Sequence, residues 1–321
     1  MVPVAIVGGA GYTGGELIRI LIHHPFAELT EVVSESQAGK AVTSVHADLL
    51  GETDLIFSKQ LEGRPEVVFL CTGHGKAKEF MSKHSLDKKT RVIDLSMDYR
   101  LADPSHDFIY GLPELNRARI RPARHIANCG CFATGIQLAL LPLAKEGLLQ
   151  EDIHVHAITG STGAGQAFSD SLHFSWRSSN VSIYKPFNHQ HLPEIRQSLL
   201  QLDAGFKAPI HFIPVRGNFT RGIFSTVYTK NDLSAEQALS LYREYYQDEI
   251  FVKITEENPD LKQVVNTNKC ILHLEKHGPL LLVISALDNL LKGASGQAVQ
   301  NLNILYGWPE DSGLKLKGMV F

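Results

Sequence analysis

The chain opens MVPVAIVGGAGYTGGELIRILIHHPFAELTEVVSESQAGK (residues 1–40), and this stretch decides the fold. Residues 2–7 are a short apolar, β-rich run of the kind found in a strand buried on both faces. Gly8, Gly9, Gly11, Gly14 and Gly15 follow at once. Leu17, Ile18, Ile20 and Leu21 then form an apolar stripe that predicts a helix ending near His24-Pro25, with Thr13 and Glu16 spaced as a capping box. A second strand over 29–34 completes a βαβ unit. Glycines let the backbone turn tightly and approach an anion, and the free amides and positive dipole of the helix start favour a diphosphate there.

The spacing is Gly8-x-x-Gly11-x-x-Gly14, not G-x-G-x-x-G, so a dinucleotide reading rests on the strand, turn and helix around it. The ribose reader after the second strand is mixed. Ser34, Ser36 and Lys40 suit a 2′-phosphate, whereas Glu35 suits a free 2′-hydroxyl. Further strands are expected at 67–71, 91–95 and 125–127, with a helix over 76–83, which is a doubly wound α/β pattern. Ligands of such sheets bind beyond the carboxyl ends of the strands, where Thr72-Gly73-His74-Gly75, Ser96 and Asn128-Cys129-Gly130-Cys131 fall.

At 321 residues the chain is long enough for about two domains. The expected division is a Rossmann-type dinucleotide-binding domain over 1–145, joined by a returning C-terminal helix within 295–321, and a second α+β domain over 146–294. Strands at 154–159 and 223–228 and a hairpin of 271–275 with 280–285, turned at His277-Gly278-Pro279, imply a second sheet. Lys+Arg 31 against Asp+Glu 34, without a long run of one sign, argues against nucleic acid as a partner. The apolar runs at 138–144 and 280–284 fall short of the roughly 20 residues of a membrane span. Four cysteines are too few for a disulfide framework, so a reducing, cytoplasmic setting is expected.

Cys131 precedes a helical stripe at Ile136, Leu138, Ala139 and Leu140, with Thr134 and Gln137 spaced as another capping box. A thiol at a helix start is favoured as a thiolate, hence as a nucleophile. Cys71 and Cys270 read as buried hydrophobes. No second Cys/His pair at zinc spacing accompanies Cys129 and Cys131, so no metal is expected. His189-Gln-His191-Leu-Pro-Glu194 sets two imidazoles and a carboxylate at another helix start, a pattern open to general acid/base work or to a solvated pair. The loop at 160–165, which holds Ser161, reads as a phosphate cradle or a substrate loop.

Together, GGAGYTGGEL (8–17), AGK (38–40), VIDLSMDYRL (92–101), YGLPELNR (110–117), ANCGCFATG (127–135), HQHLPE (189–194), TRGI (220–223) and DNLLKGASGQAVQN (288–301) resemble the N-acetyl-γ-glutamyl-phosphate reductase family, relatives of aspartate-semialdehyde dehydrogenase. The resemblance implies reduction of an acyl phosphate by NADPH with release of inorganic phosphate. It implies Cys131 as nucleophile and His189 as the acid/base that supplies a proton as imidazolium, with His191 and Glu194 in support. For NADP(H) it implies Gly8, Gly11, Tyr12, Thr13 and Gly14 at the diphosphate, Ser34, Ser36 and Lys40 at the adenosine ribose phosphate, and Asn289, Lys292 and Gly293 on the nicotinamide side. Ser161, Arg216 and Arg221 are the candidate substrate residues, and a homodimer or homotetramer is expected.

Three features depart from the family pattern. Cys129 replaces the usual proline, Thr72-Gly73-His74-Gly75 replaces L-P-H-G, and Arg216 stands in Pro214-Val-Arg-Gly-Asn218, a stretch generally more apolar in the family. Arg216 suits a second carboxylate, which makes an N-succinyl substrate an alternative to the N-acetyl one. Aspartate-semialdehyde dehydrogenase activity is a nearby rival, against which YGLPELNR and HQHLPE speak. A non-catalytic dinucleotide-binding sensor, in which Cys131 is structural, is a rival of a different class.

Overall fold

The computed structural model describes residues 1–73 and 75–320; His74, one of the expected strand-end positions, lies outside them. The chain divides into two compact units, Met1–Cys129 with Ala294–Lys315, and Gly130–Gly293 with the residues from Leu316 onward.

In the first unit the chain runs β1 (Val2–Val7), α1 (Tyr12–Leu21), β2 (Ala27–Val33), β3 (Phe57–Ser58), β4 (Val67–Leu70), α2 (Lys76–Lys83), β5 (Arg91–Asp94), β6 (Ile109–Gly111), α3 (Pro113–Ile120) and β7 (His125–Asn128). The strands form a parallel sheet in the order β3-β2-β1-β4-β5-β7-β6. Val4, Ile6, Val67, Phe69, Val92 and Ile93 are fully buried, as strands covered on both faces require. Strand order reverses between β1 and β4, and that crevice is where doubly wound folds take ligands. The C-terminal helix, Ser295–Tyr306, belongs to this unit. Its buried Asn301 donates to Gly111 O at 2.9 Å and to Asn128 Oδ1 at 3.0 Å, and its Ser295 Oγ donates to Thr13 O at 2.8 Å.

The second unit holds α4 (Cys131–Lys145), β8 (Ile153–Thr159), α5 (Phe174–Arg177), β9 (Ser182–Ile183), α6 (Leu192–Leu202), β10 (Ile210–Arg216), β11 (Ile223–Lys230), α7 (Ala235–Tyr245), β12 (Val252–Ile254), β13 (Cys270–His277) and β14 (Leu280–Leu287). Its mixed sheet has the order β12-β13-β14-β11-β8-β10-β9. The β13–β14 hairpin is antiparallel and turns at Gly278, whose φ of +55° suits a residue without Cβ. α4 packs on α6, β11 and β14, so by its contacts it falls in this unit and not with residues 1–129. Every residue of α4 from Phe132 to Ala144 is buried, including Pro142.

Two helix starts differ from expectation. α1 begins with Gly11 as N-cap and no side-chain cap; Thr13 lies inside the first turn, and Glu16 instead pairs with Arg19 at 2.6 Å. α4 begins at Cys131 itself, so Thr134 Oγ1 donates back to Gly130 O at 3.1 Å and Gln137 Nε2 to Ala133 O at 2.8 Å. In both, the chain enters the helix at a glycine with extended backbone, earlier than the hydroxyl residue. No helix among the described residues is long and apolar enough to cross a membrane.

Candidate active site

The first unit offers a cradle at the β1–α1 turn. Gly8 has φ +86°, and a Cβ there would sit 2.6 Å from Cys71 O. A Cβ on Gly14 would sit 2.6 Å from Gly9 O, so the turn closes only without side chains. The amides at the start of α1 have no side-chain cap, and its first turn has no acidic residue. The start of α2 is different. Asp98 accepts from Gly75 N at 2.6 Å and from Ala77 N and Lys78 N at 3.1 Å, so a carboxylate of the chain already occupies the place an anion would take. The donor set at α1, with its side-chain-free approach, fits a dinucleotide diphosphate.

Gly8 N and Gly9 N donate to Val33 O at 3.0 Å, which brings Gly8, Gly11, Tyr12, Thr13 and Gly14 together with the end of β2. Ser34 is buried there, while Glu35, Ser36 and Lys40 are exposed around a short helical turn. Lys40 Nζ donates to Gln37 Oε1 at 3.0 Å. At the end of β5, burial pushes the Asp94 carboxyl up to about 6 against two bonds from Ser96. Arg100 donates to Asn128 O at 2.9 Å and to Leu95 O at 3.0 Å, tying the ends of β7 and β5 together.

The second unit gathers Cys131, His189, His191 and Glu194. Cys131 is the first residue of α4 and only partly buried. Gly130 N, just before it, donates to Glu194 Oε2 at 3.0 Å, so the buried carboxylate of α6 holds the start of α4. Glu194 Oε1 lies 3.9 Å from His191 Nε2. His189 sits among Phe132, Tyr184, Phe212 and His191, with ring centroids 4.6–5.8 Å away. Burial, with the charge of Lys185, pushes its imidazole down to about 4. At neutral pH the resting ring is therefore uncharged. Its Nδ1 accepts from His191 N at 3.2 Å, which leaves the ring proton on Nε2 as a donor.

The loop with Ser161 docks on residues 219–222, since Ser161 N donates to Phe219 O at 2.9 Å and Thr162 N to Thr220 O at 3.1 Å. Asn289 clamps the same place, accepting from Gly222 N at 2.7 Å and donating to Thr162 Oγ1 at 3.1 Å. Arg221 is held by the buried Asp288 at 2.9 Å. Gly293 packs directly on Cys131, because a Cβ there would sit 2.8 Å from Cys131 Cβ. Lys292 is fully buried, its ammonium 5.9 Å from the Phe251 ring centre. Asn289, Lys292 and Gly293 thus belong to the unit that carries Cys131. Sequence reasoning missed Tyr184, whose hydroxyl is raised by burial and by the charge of Cys131, and the nearly buried Arg177. Neither lies in a motif; Tyr184 directly follows β9, and Arg177 donates to Ser182 of that strand.

Sequence profiles of the semialdehyde dehydrogenase NAD binding domain and dimerisation domain match residues 3–123 and 131–289. The N-acetyl-gamma-glutamyl-phosphate reductases of Parabacteroides distasonis, Phocaeicola vulgatus and Bacteroides fragilis are 58%, 57% and 56% identical to this chain, with both chains covered in full. The chain belongs to the N-acetyl-gamma-glutamyl-phosphate reductase family. It is an oxidoreductase of the semialdehyde dehydrogenase type. Aspartate semialdehyde dehydrogenase II of Vibrio cholerae, solved with ASA, shares the fold at TM-score 0.73 and 15% identity, covering 96% of this chain and 98% of that one. The Candida albicans aspartate semialdehyde dehydrogenase solved with NADP gives TM-score 0.73 at 14% identity, covering 95% and 98%.

Proposed function

We propose that the chain reduces N-acetyl-γ-glutamyl phosphate to N-acetyl-glutamate 5-semialdehyde with release of phosphate, a step of arginine biosynthesis, through a thioester on Cys131. The observation that carries this reading is a partly exposed cysteine at a helix start without a side-chain cap, in one unit with a buried, neutral histidine. The thiol sulfur attacks the acyl carbon, the carbon–oxygen bond to phosphate breaks, and the thiol proton leaves with the phosphate. The amides opening α4 and the Nε2–H of His189 donate to the oxygen that becomes negative in each tetrahedral adduct. NADPH, when bound, supplies the hydride that reduces the thioester. Collapse of the reduced adduct breaks the carbon–sulfur bond, and the thiolate takes up the one proton that the net reaction consumes. Glu194, through Gly130 N, is a positioning residue for Cys131, and His191 fixes the tautomer of His189.

Gly8, Gly11, Tyr12, Thr13 and Gly14 would hold the diphosphate of NADPH, and Ser34, Ser36 and Lys40 its 2′-phosphate. A homodimer or homotetramer assembles through the sheet of the second unit, whose row His211, His154 and Tyr228 is stacked and partly exposed. Four thiols and no bridge agree with a reducing, cytoplasmic setting. The test is the reverse reaction, with NADPH formation followed from N-acetyl-glutamate semialdehyde, phosphate and NADP. Phosphate-dependent turnover, lost at least about 1000-fold in Cys131→Ser, is expected. Turnover of aspartate semialdehyde alone would replace the substrate, and no turnover with intact NADPH binding would favour a sensor.

A further inference from the structure

Arg177 closes α5 and Arg216 closes β10. Ser182 stands opposite Arg216 in the β9–β10 pairing, and its Oγ accepts from Arg177 Nη1 at 3.1 Å. Two guanidinium groups are thereby brought to one strand end. Arg177 is 6% exposed, and its other bond, from Nη2 to Asn180 O at 2.7 Å, is also to a neutral group. Arg216 lies over the Tyr184 ring at 4.7 Å. The Nε atoms of both arginines are buried without a hydrogen-bond partner. Burial and the charge of Arg216 hold Arg177 below the usual guanidinium range, although it stays protonated at neutral pH. Two like charges close together, Arg177 buried and Arg216 partly so, with unspent donors are costly, and an anion between them would offset both costs at once. Tyr184 links the pair to the chemistry, since its ring lies 5.8 Å from that of His189 and its hydroxyl feels the charge of Cys131.

We propose that Arg177 and Arg216 form one carboxylate site, which holds the amino-acid end of the substrate while its acyl phosphate meets Cys131. This rests on the reductase reading above. A carboxylate presents two oxygens to a pair of guanidinium groups and reduces the charge of the pair to that of a single cation. The α-carboxylate of any N-acylglutamyl substrate and the distal carboxylate of an N-succinyl cap share this chemistry.

The experiment uses the full chain and measures the reverse reaction with N-acetyl-glutamate semialdehyde and with its N-succinyl analogue. Wild type, Arg177→Gln, Arg216→Gln and Arg177→Lys are compared, with calorimetric titration of N-acetylglutamate and N-succinylglutamate alongside. Each Gln variant is expected to raise KM for the semialdehyde about tenfold or more, well beyond any fall in kcat, and Arg177→Lys to recover part of the loss. Equal loss on both substrates places the α-carboxylate on the pair; loss confined to the succinyl substrate places the cap there. Unchanged KM and unchanged titration in both Gln variants overturn the proposal. If Arg177→Gln loses its fold, as a lowered Tm would reveal, Arg216→Gln carries the comparison. Arginine-dependent binding of N-acylglutamates by a wild type without turnover would keep the carboxylate site and remove the reductase reading.

Discussion

The protonation of His189 links the site to stability. Its folded value of about 4 lies below the ordinary 6.5 of an imidazole, because burial penalises the charged ring. Between those two values the unfolded chain binds more protons than the folded one, so stability is complete above pH 6.5 and falls as the pH drops toward 4. Thermal melts from pH 7.5 to 4.5 should show a shallower acid loss in His189→Asn than in wild type; parallel curves would remove this residue as the cause. Gly293 makes a second prediction at the same scale. An added Cβ would meet Asn289 O at 2.7 Å and Cys131 Cβ at 2.8 Å, and the backbone oxygen has little room to yield. Gly293→Ala should cost about 1–3 kcal/mol in urea unfolding and slow alkylation of Cys131 by iodoacetamide.

α4 shows how an element with a local fault is kept. Pro142 has no N–H, so the carbonyl of Leu138, four residues earlier, loses its helical partner in a fully buried helix. The hydroxyl of Tyr246, just after α7, donates to Leu138 O at 2.6 Å, and that of Tyr242 donates to Ala139 O at 2.5 Å. Tyr246→Phe should therefore cost about 1–3 kcal/mol by leaving a buried carbonyl unpaired. In Pro142→Ala the backbone supplies its own donor, so the same Tyr246→Phe change should cost less there. A double-mutant cycle with zero coupling would reject the argument. Helix starts follow the same logic of accounting for backbone groups. Asp98 closes that of α2, whereas α1 lacks a side-chain acceptor, and only the latter fits as a diphosphate site.

At the scale of the whole molecule, each unit closes one sheet, and the second leaves a partly exposed row across three strands. His154 stacks on Tyr228 at 4.9 Å and on His211 at 5.0 Å, while the alternate residues Val155 and Phe212 are buried on the other face. A Tyr228→Glu variant should shift sedimentation toward the monomer while keeping the circular dichroism of the wild type. An unchanged oligomer would place the subunit contact elsewhere.

The sequence by itself determined the βαβ opening, the doubly wound sheet, the β13–β14 hairpin and the C-terminal helix, because each has a period or glycine pattern set by local backbone physics. It also picked out Cys131 and the His189 to Glu194 string through motifs. β3 and β6, two and three residues long, were beyond it, since such short strands exist only by pairing with a neighbour. Tertiary structure alone decided that Gly11 and Gly130, and no hydroxyl residue, begin α1 and α4, and that α4 packs with the second sheet. It alone made His189 neutral and set Arg177 beside Arg216, because burial and the approach of residues 39 positions apart are products of packing, which no local pattern encodes.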